Sequence, residues 1–551
     1  MRYRFSFGSI TASLFVGGLI ALSVTGNTGC SVIFKDSAEQ CSTDGDCRAR
    51  GLVGAICSDQ VCIAGCTSAD QCTSEAGGRA AICGSNNKCT VLEIDGCTLP
   101  RDQGVLVPTY KDPNAIFIGE LSATTSTQIP GAGAHNQLVM ANDDLRTVQA
   151  PGVPGGPGGV RRPLVPISCE TGDDAAKMTA YAKHFVDVVN APIIVSTWNP
   201  HAIRVHAAVT ASQKSVFEYC VTCSADIRRF AAGSGDVSTI YSGTAAAVDL
   251  AAGIAAKASE LETDVRATPG FSGNVRLALL ITSGLEGAPP DQTADEVLKT
   301  LRFNGKSAAD NGDDYRFFSY VASDSRDAIA EQVAAFAPHI IIPITLAEAN
   351  QSLFPLIEGK WRGSIRPRYV GNVGQQQSSM LTFVQGNDER RKRVVIVNQT
   401  PTPTDAAKFN AWSALYSQRF GTNSGPSIAY DAYYALAYSI VAAGAPASGK
   451  LTGTDLVRGL LNLKGGSSSY FVGNGDLVVG MAAALQGKID LSGYVLPLNF
   501  SPDTGRIPLS RIPIFCIGRQ QAGAPPAFLP SGQEFNVATQ QLQGKYNCPG
   551  D

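Results

Sequence analysis

From residue 113 to residue 519, apolar and polar positions alternate in blocks. Apolar-rich runs of about four to eight residues, each with at most one charged residue, are too short for helices and suit buried strands. Between them lie longer stretches whose apolar positions recur three and four apart. The runs at 115–121, 164–168, 192–195, 215–219, 275–282, 315–321, 340–344, 368–371 and 394–398 read as strands. Helices are predicted near 134–146, 174–190, 199–209, 244–268, 291–303, 326–337, 348–358, 404–420 and 427–443. The last, IAYDAYYALAYSIVAAG, is apolar on nearly every side and should lie between layers. This alternation predicts two doubly wound, Rossmann-like α/β lobes with the chain passing between them.

Residues 191–224 show the repeating unit in full: apolar run, polar loop, helix, apolar run, polar loop. Asn199 reads as the helix N-cap and Pro200 as its first residue. Both polar loops leave the sheet at one edge, where strand ends and helix N-termini offer free N–H groups to a ligand. Ser196, Thr197, Asn199 and Thr222 are therefore candidate contacts, against the alternative of ordinary capped turns.

Composition narrows the function classes. A 551-residue chain exceeds one core, and 44% hydrophobic with 17% charged residues is globular. A net charge of −3 leaves no basic footprint for nucleic acid, and Arg390–Arg393 reads as a solvated turn. Arg2 and Arg4 precede an uncharged segment interrupted by Gly17 and Gly18, which predicts a signal peptide over 1–29. Thr28-Gly29-Cys30 resembles a bacterial lipobox, with Asn27 departing from it, so Cys30 is the candidate lipidation site. Of 15 cysteines, 14 then remain, an even number.

Nine of them fall in 41–97, in an imperfect repeat: Cys41, Cys47, Cys57 and Cys62, then Cys66, Cys72, Cys83 and Cys89, with Cys97 after. Two such modules lack apolar cores, so pairing within each module is expected, and zinc is the weaker reading. Residues 30–97 are expected to form a stalk, as a spacer or a protein- or glycan-binding module, with 98–112 as a linker.

The order of elements resembles the type I periplasmic-binding-protein fold, and more narrowly the leucine/isoleucine/valine-binding family. The resemblance rests on the first strand with its small polar loop, the GG…RPL turn (Gly158-Gly159…Arg162-Pro163-Leu164), a strand ending near Cys169 and the STWNP segment. It continues through the Val221-Thr222 exit, AYDAYYALAYSI and the Phe500-Ser-Pro-Asp-Thr-Gly505 turn, about residues 113–519 in all. It implies lobe 1 at 113–268 and 394–505, lobe 2 at 269–393 and 506–519, and a tail at 520–551. It also implies a ligand carboxylate held by Ser196, Thr197, Trp198, Val221 and Thr222, with Ser122 and Ser126 on the loop beside them. Leu285, Thr345 and Asn372 would serve from the second lobe. Val373 stands where the family places an acidic residue for a ligand ammonium, a role left to Glu286 or Glu348. Cys169 resembles a family cysteine whose STWNP-loop partner is absent. Cys97, Cys169, Cys220 and Cys223 are candidates for two bridges, and Cys516 with Cys548 for a third; Cys220-Val-Thr-Cys223 has no helix placement for redox work.

The five histidines lack metal spacing, and His201 and His206 read as surface or cap residues. With no nucleophile elbow and no phosphate loop, no enzyme, metal or cofactor is indicated. The expectation is an exported, lipid-anchored, monomeric binding protein of the periplasm or cell surface that closes on a small polar, amino-acid-like ligand. An ABC-type permease is the implied partner. The alternative is a surface receptor or sensor using the same fold.

Overall fold

The computed structural model describes residues 39–126, 131–210, 215–221, 223, 228, 236–243, 247–283, 292–321, 323–345, 348–398, 405–422, 424–446, 450–521 and 523–550. The expected signal peptide and Cys30 lie outside them. Two compact units divide the chain after Gly65. The smaller contains the helix Asp44–Ala49 and the hairpin Ala55–Ser58/Val61–Ala64, stapled by Cys41–Cys57 and Cys47–Cys62.

The second cysteine repeat belongs to the larger unit, which corrects the expected stalk. Its bridges are Cys66–Cys83 and Cys72–Cys89. Unlike the first repeat it is followed by apolar anchors: Leu92, Leu99 and Tyr110 are buried in one cluster with Val165, Ile167 and Tyr181. In the expected linker 98–112, residues 101–105 are exposed, while Leu99, Val107 and Tyr110 are buried, Tyr110 within the turn Pro108–Lys111.

Two sheets organise this unit. The first comprises β1 (Cys97–Thr98), β2 (Ile116–Ser122), β3 (Leu164–Glu170), β4 (Ile193–Ser196), β5 (Phe217–Cys220) and β6 (Ile240–Ser242), in the order β6-β5-β4-β2-β3-β1. All neighbours are parallel except β1, which pairs antiparallel with β3 and is bridged to it by Cys97–Cys169. The helix α1 (Gly131–Val148) follows β2, and α2 (Asn199–Val205) follows β4. The second sheet comprises β7 (Leu277–Thr282), β8 (Tyr315–Tyr320), β9 (Ile340–Ile344), β10 (Arg368–Gly371), β11 (Val394–Val397), β12 (Arg511–Gly518), β13 (Ala527–Asn536) and β14 (Gln541–Gln543). Its order is β8-β7-β9-β10-β11-β12-β13-β14, parallel as far as β11 and antiparallel beyond. In each sheet a strand is flanked by its sequence successors on opposite sides, β2 by β3 and β4, β7 by β8 and β9. Such switch points open a crevice at the strands' carboxyl ends.

Several lobe assignments are corrected by this pairing. Val394–Val397 is wholly buried and takes ladder partners on both sides in the second sheet, not the first. The helix α3 (Ala247–Arg266) packs its Leu250, Ile254 and Leu261 under that same sheet. Residues 520–551 are no tail: they supply β13 and β14, and Cys548 is bridged to Cys516 of β12. The helix α4 (Ile428–Ala443) is buried almost end to end, against the first sheet. Its fully buried Asp431 carboxylate accepts the N–H groups of Tyr494, Val495 and Leu496 and the Ser427 hydroxyl, tying a distant turn to the helix.

Candidate functional site

The carboxyl edge of the first sheet is made of hydroxyl-bearing turns. β2 and β3 end in register, Ser122 beside Glu170, and the chain leaving β3 curls through Gly172 at φ +51°. That curl brings the Glu170 carboxylate over the loop leaving β2. Its Oε1 accepts from Thr125 N (3.2 Å), Thr125 Oγ1 (2.9 Å) and Gly172 N (2.9 Å). Its Oε2 accepts from Thr124 N (2.9 Å), the Thr124 hydroxyl and Ser122 Oγ (3.4 Å). Burial works to raise its pKa, but the donors from Thr124, Thr125 and Gly172 outweigh it and hold it down at about 2. Ser122 also donates to Cys169 O (3.2 Å), and Ser126 Oγ donates to Asp173 Oδ1 (2.5 Å). The hydroxyls of this loop are thus engaged with the protein's own acids.

β4 presents a different surface. Ser196 is fully buried at its carboxyl end, and its hydroxyl has no hydrogen-bond partner. Thr197 Oγ1 donates to Leu121 O (3.3 Å), and buried Val221 donates its N–H to Ser196 O (2.9 Å). The helix α2 starts one residue earlier than expected: Trp198 is its N-cap and Asn199 its first residue, with Pro200 at the second position. The side chain of Asn199, and Thr222, lie outside the described residues. The Cys220–Cys223 bridge straddles Thr222.

His201 and His206 are both fully buried, which corrects their reading as surface residues. His201 lies within α2, and His206 opens the π-helical turn His206–Thr210 that continues it. His201 lies edge-on to the Trp198 ring at 5.9 Å, with Nε2 3.4 Å from Thr171 Oγ1. Burial depresses its pKa to about 4, so the ring is neutral at pH 7. His135 of α1 meets the buried Glu120 of β2, Nδ1 to Oε1 at 2.9 Å, and the Glu120 charge raises the histidine pKa.

On the second sheet, β7, β8 and β9 converge on Glu348. Its Oε1 accepts the Tyr320 hydroxyl (3.0 Å) and lies 3.0 Å from Thr282 Oγ1. Its Oε2 is buried without a partner. Burial pushes the Tyr320 phenol up, so it stays a donor. Thr345 and Asn372 are committed locally. Gln375 Nε2 donates to Thr345 O (2.7 Å) and Oγ1 (2.9 Å), and Asn372 Oδ1 accepts Gly374 N (2.7 Å). Leu285 and Glu286 lie outside the described residues. Pattern reasoning passed over Glu170 and Tyr320; the signal for Glu170 was an acid ending a strand whose parallel neighbour exits through Ser-Ala-Thr-Thr.

No protein-family model matches the chain, and no curated protein matches it. Solved structures do. The branched-chain amino acid transporter substrate-binding protein LivJ from Streptococcus pneumoniae, in complex with isoleucine, aligns with a TM-score of 0.52 at 13% identity, over 76% of this chain and 99% of that one. The leucine-binding protein LivK from Thermotoga maritima aligns with a TM-score of 0.52 at 11% identity, over 75% and 98%. A solute-binding protein of an ABC transporter from Rhodopseudomonas palustris, in complex with 3,4-dihydroxybenzoic acid, gives 0.51 at 14%, over 77% and 98%. At these identities the likeness establishes the fold: that of the type I periplasmic binding proteins.

Proposed function

We propose that this chain is an exported solute-binding protein that closes its two sheets on a small polar ligand at their carboxyl edges. The observation that carries the reading is the Ser196 hydroxyl, fully buried and without a partner at the end of β4. An unmet buried hydroxyl costs about 1–3 kcal/mol, a cost that a ligand hydrogen bond removes. Thr197, Trp198, Asn199, Val221 and Thr222 surround it in sequence, and Glu348 offers an acceptor from the second sheet in place of the acid missing at Val373. Thr345 and Asn372 shape that second edge through their own networks.

Closure follows from differential affinity: a ligand bridging both edges stabilises the closed arrangement by the contacts it makes only there. Delivery to an ABC-type permease, and a lipid on Cys30 holding the protein at a membrane, complete the proposal. No helix among the described residues is long and apolar enough to cross a membrane. The deciding experiment is native mass spectrometry of the full chain as purified. A small molecule retained by the wild type and weakened in Ser196→Ala supports the reading; no retained molecule, or one indifferent to Ser196→Ala, overturns it. The full chain is needed because truncation before residue 112 would remove Cys97 from Cys169.

A further inference from the structure

The Glu170 carboxylate receives five undivided donors, three on Oε1 and two on Oε2, from Thr124, Thr125 and Gly172, and a share of the Ser122 hydroxyl proton, which Cys169 O also accepts. An ionised carboxylate offers about four lone-pair sites, so these donors saturate it. The donor set has the composition of a site for an external carboxylate: paired hydroxyls and backbone N–H groups at the end of a parallel strand beside a switch point. We propose that Glu170 is a built-in substitute for a ligand carboxylate. It fills the cradle at the end of β2, so that the ligand meets this lip of the first sheet with a neutral or cationic group. This rests on the reading above only in taking the lip as ligand-facing.

Three features carry it. The register of β2 and β3 places Ser122 and Glu170 side by side, so the acid needs no excursion to reach the loop. Gly172 takes a left-handed turn that aims its N–H back at Oε1, and an added Cβ there would sit 3.3 Å from Thr125 Oγ1. Beside it, Asp173 holds the Ser126 hydroxyl, placing a second acid on the same lip. A second anion at this edge would find its donors already spent and two acids facing it. The loop of Ser122 and Ser126, which the resemblance sets beside the ligand carboxylate, thus receives an internal carboxylate of its own.

The test is chemical rescue in the full chain. Glu170→Ala empties the cradle without adding bulk, and sodium acetate is the probe, with sodium chloride at equal ionic strength as control. The expected result is a melting temperature for Glu170→Ala below that of the wild type and restored by several degrees, saturably, in acetate. The wild type should not respond. A folded Glu170→Ala protein indifferent to acetate, or a wild type stabilised equally by it, overturns the proposal. If the alanine variant fails to fold, carbon-detected NMR of the wild-type Glu170 carboxyl decides: a midpoint near 2 supports the filled cradle, and one in the ordinary glutamate range overturns it. Acetate reports on the cradle alone, so failure here leaves the Ser196 reading standing, and the absence of a co-purified ligand leaves the acetate result standing.

Discussion

The two carboxyl edges use the same kind of part in opposite ways. On the first sheet a glutamate is surrounded by donors: Glu170 takes five undivided ones and a share of the Ser122 hydroxyl, and its charge is fixed. On the second, Glu348 rests on the Tyr320 and Thr282 hydroxyls through one oxygen, and its other oxygen is buried with no donor. The difference lies in the turns. The first edge exits through Thr-Thr and Gly, which supply N–H and hydroxyl donors in excess. The second meets its acid with a phenol and a strand-end threonine, leaving acceptor capacity unspent. On the proposed reading both edges favour a ligand that brings hydrogen-bond donors, and among the described residues the Ser196 hydroxyl, at the end of β4, is buried without a partner.

The largest expected effect breaks the comparison by removing one of its sides. Asp431 ties the turn at residues 494–496 to α4 beneath the first sheet, through three N–H groups and one hydroxyl, with no exposure. Asp431→Asn puts an amide donor against those donors, and we expect a loss of about 3 kcal/mol in urea unfolding. A loss below about 1 kcal/mol would show that the turn is held by packing alone.

Next comes the staple of the first sheet's edge strand. Cys97→Ser with Cys169→Ser removes a bridge across 72 residues and should cost about 2–4 kcal/mol of the larger unit's stability. The matched pair Cys41→Ser and Cys57→Ser lies in the smaller unit and should leave the larger unit's melting transition unmoved. Equal effects from both pairs would contradict the division of the two cysteine repeats between units.

How much of this was legible in the chain depends on how local the cause is. Ile340–Ile344 and Arg368–Gly371 are strands with the predicted bounds because a short apolar-rich run needs no partner to be recognised. The helix predicted over 427–443, apolar on nearly every side, and the pairing within each cysteine repeat were legible because their signals too are local. What failed was long-range. Pro530 and Gly532 disguise Ala527–Asn536 as a tail, yet its ladder to β12 absorbs them with a register shift between Pro513 and Phe515. Val394–Val397 looks the same in either sheet, and only its neighbours assign it. At the site, strand ends fall one or two residues beyond the predicted ones, and which hydroxyls are already spent depends on an acid 45 residues or more away. Sequence spacing does not carry that.

Ser196→Ala sharpens the contrast between spent and unspent groups. Removing a buried hydroxyl that has no partner should leave the unliganded protein as stable or more stable, by up to about 1 kcal/mol. Ligand affinity should fall about 5- to 30-fold, the worth of one hydrogen bond in a dry site. Thr345→Val, which deletes a hydroxyl already paired with Gln375, should do the reverse and cost stability. If Ser196→Ala instead destabilises the unliganded protein, its hydroxyl is structural and the two edges are alike.

The smallest effect is the pH dependence of the filled cradle. Glu170 has its folded pKa lowered to about 2 from the ordinary 4.5, so the unfolded chain binds its proton more readily. The stabilisation from the cradle is therefore fully present above about pH 4.5 and drains away as pH falls toward 2. Thr124→Ala with Thr125→Val removes both hydroxyl donors and should move the folded pKa back up, shrinking that acid-side loss. The comparison to make is the slope of unfolding free energy against pH between 2 and 4.5 in the wild type and the double variant. Glu348, with one oxygen unspent, offers the control: Thr282→Val should leave that slope unchanged, because the donor it removes does not touch Glu170. Parallel slopes in the wild type and the Thr124/Thr125 variant would mean that the hydroxyls do not hold the charge, and the contrast between the two edges would go with them.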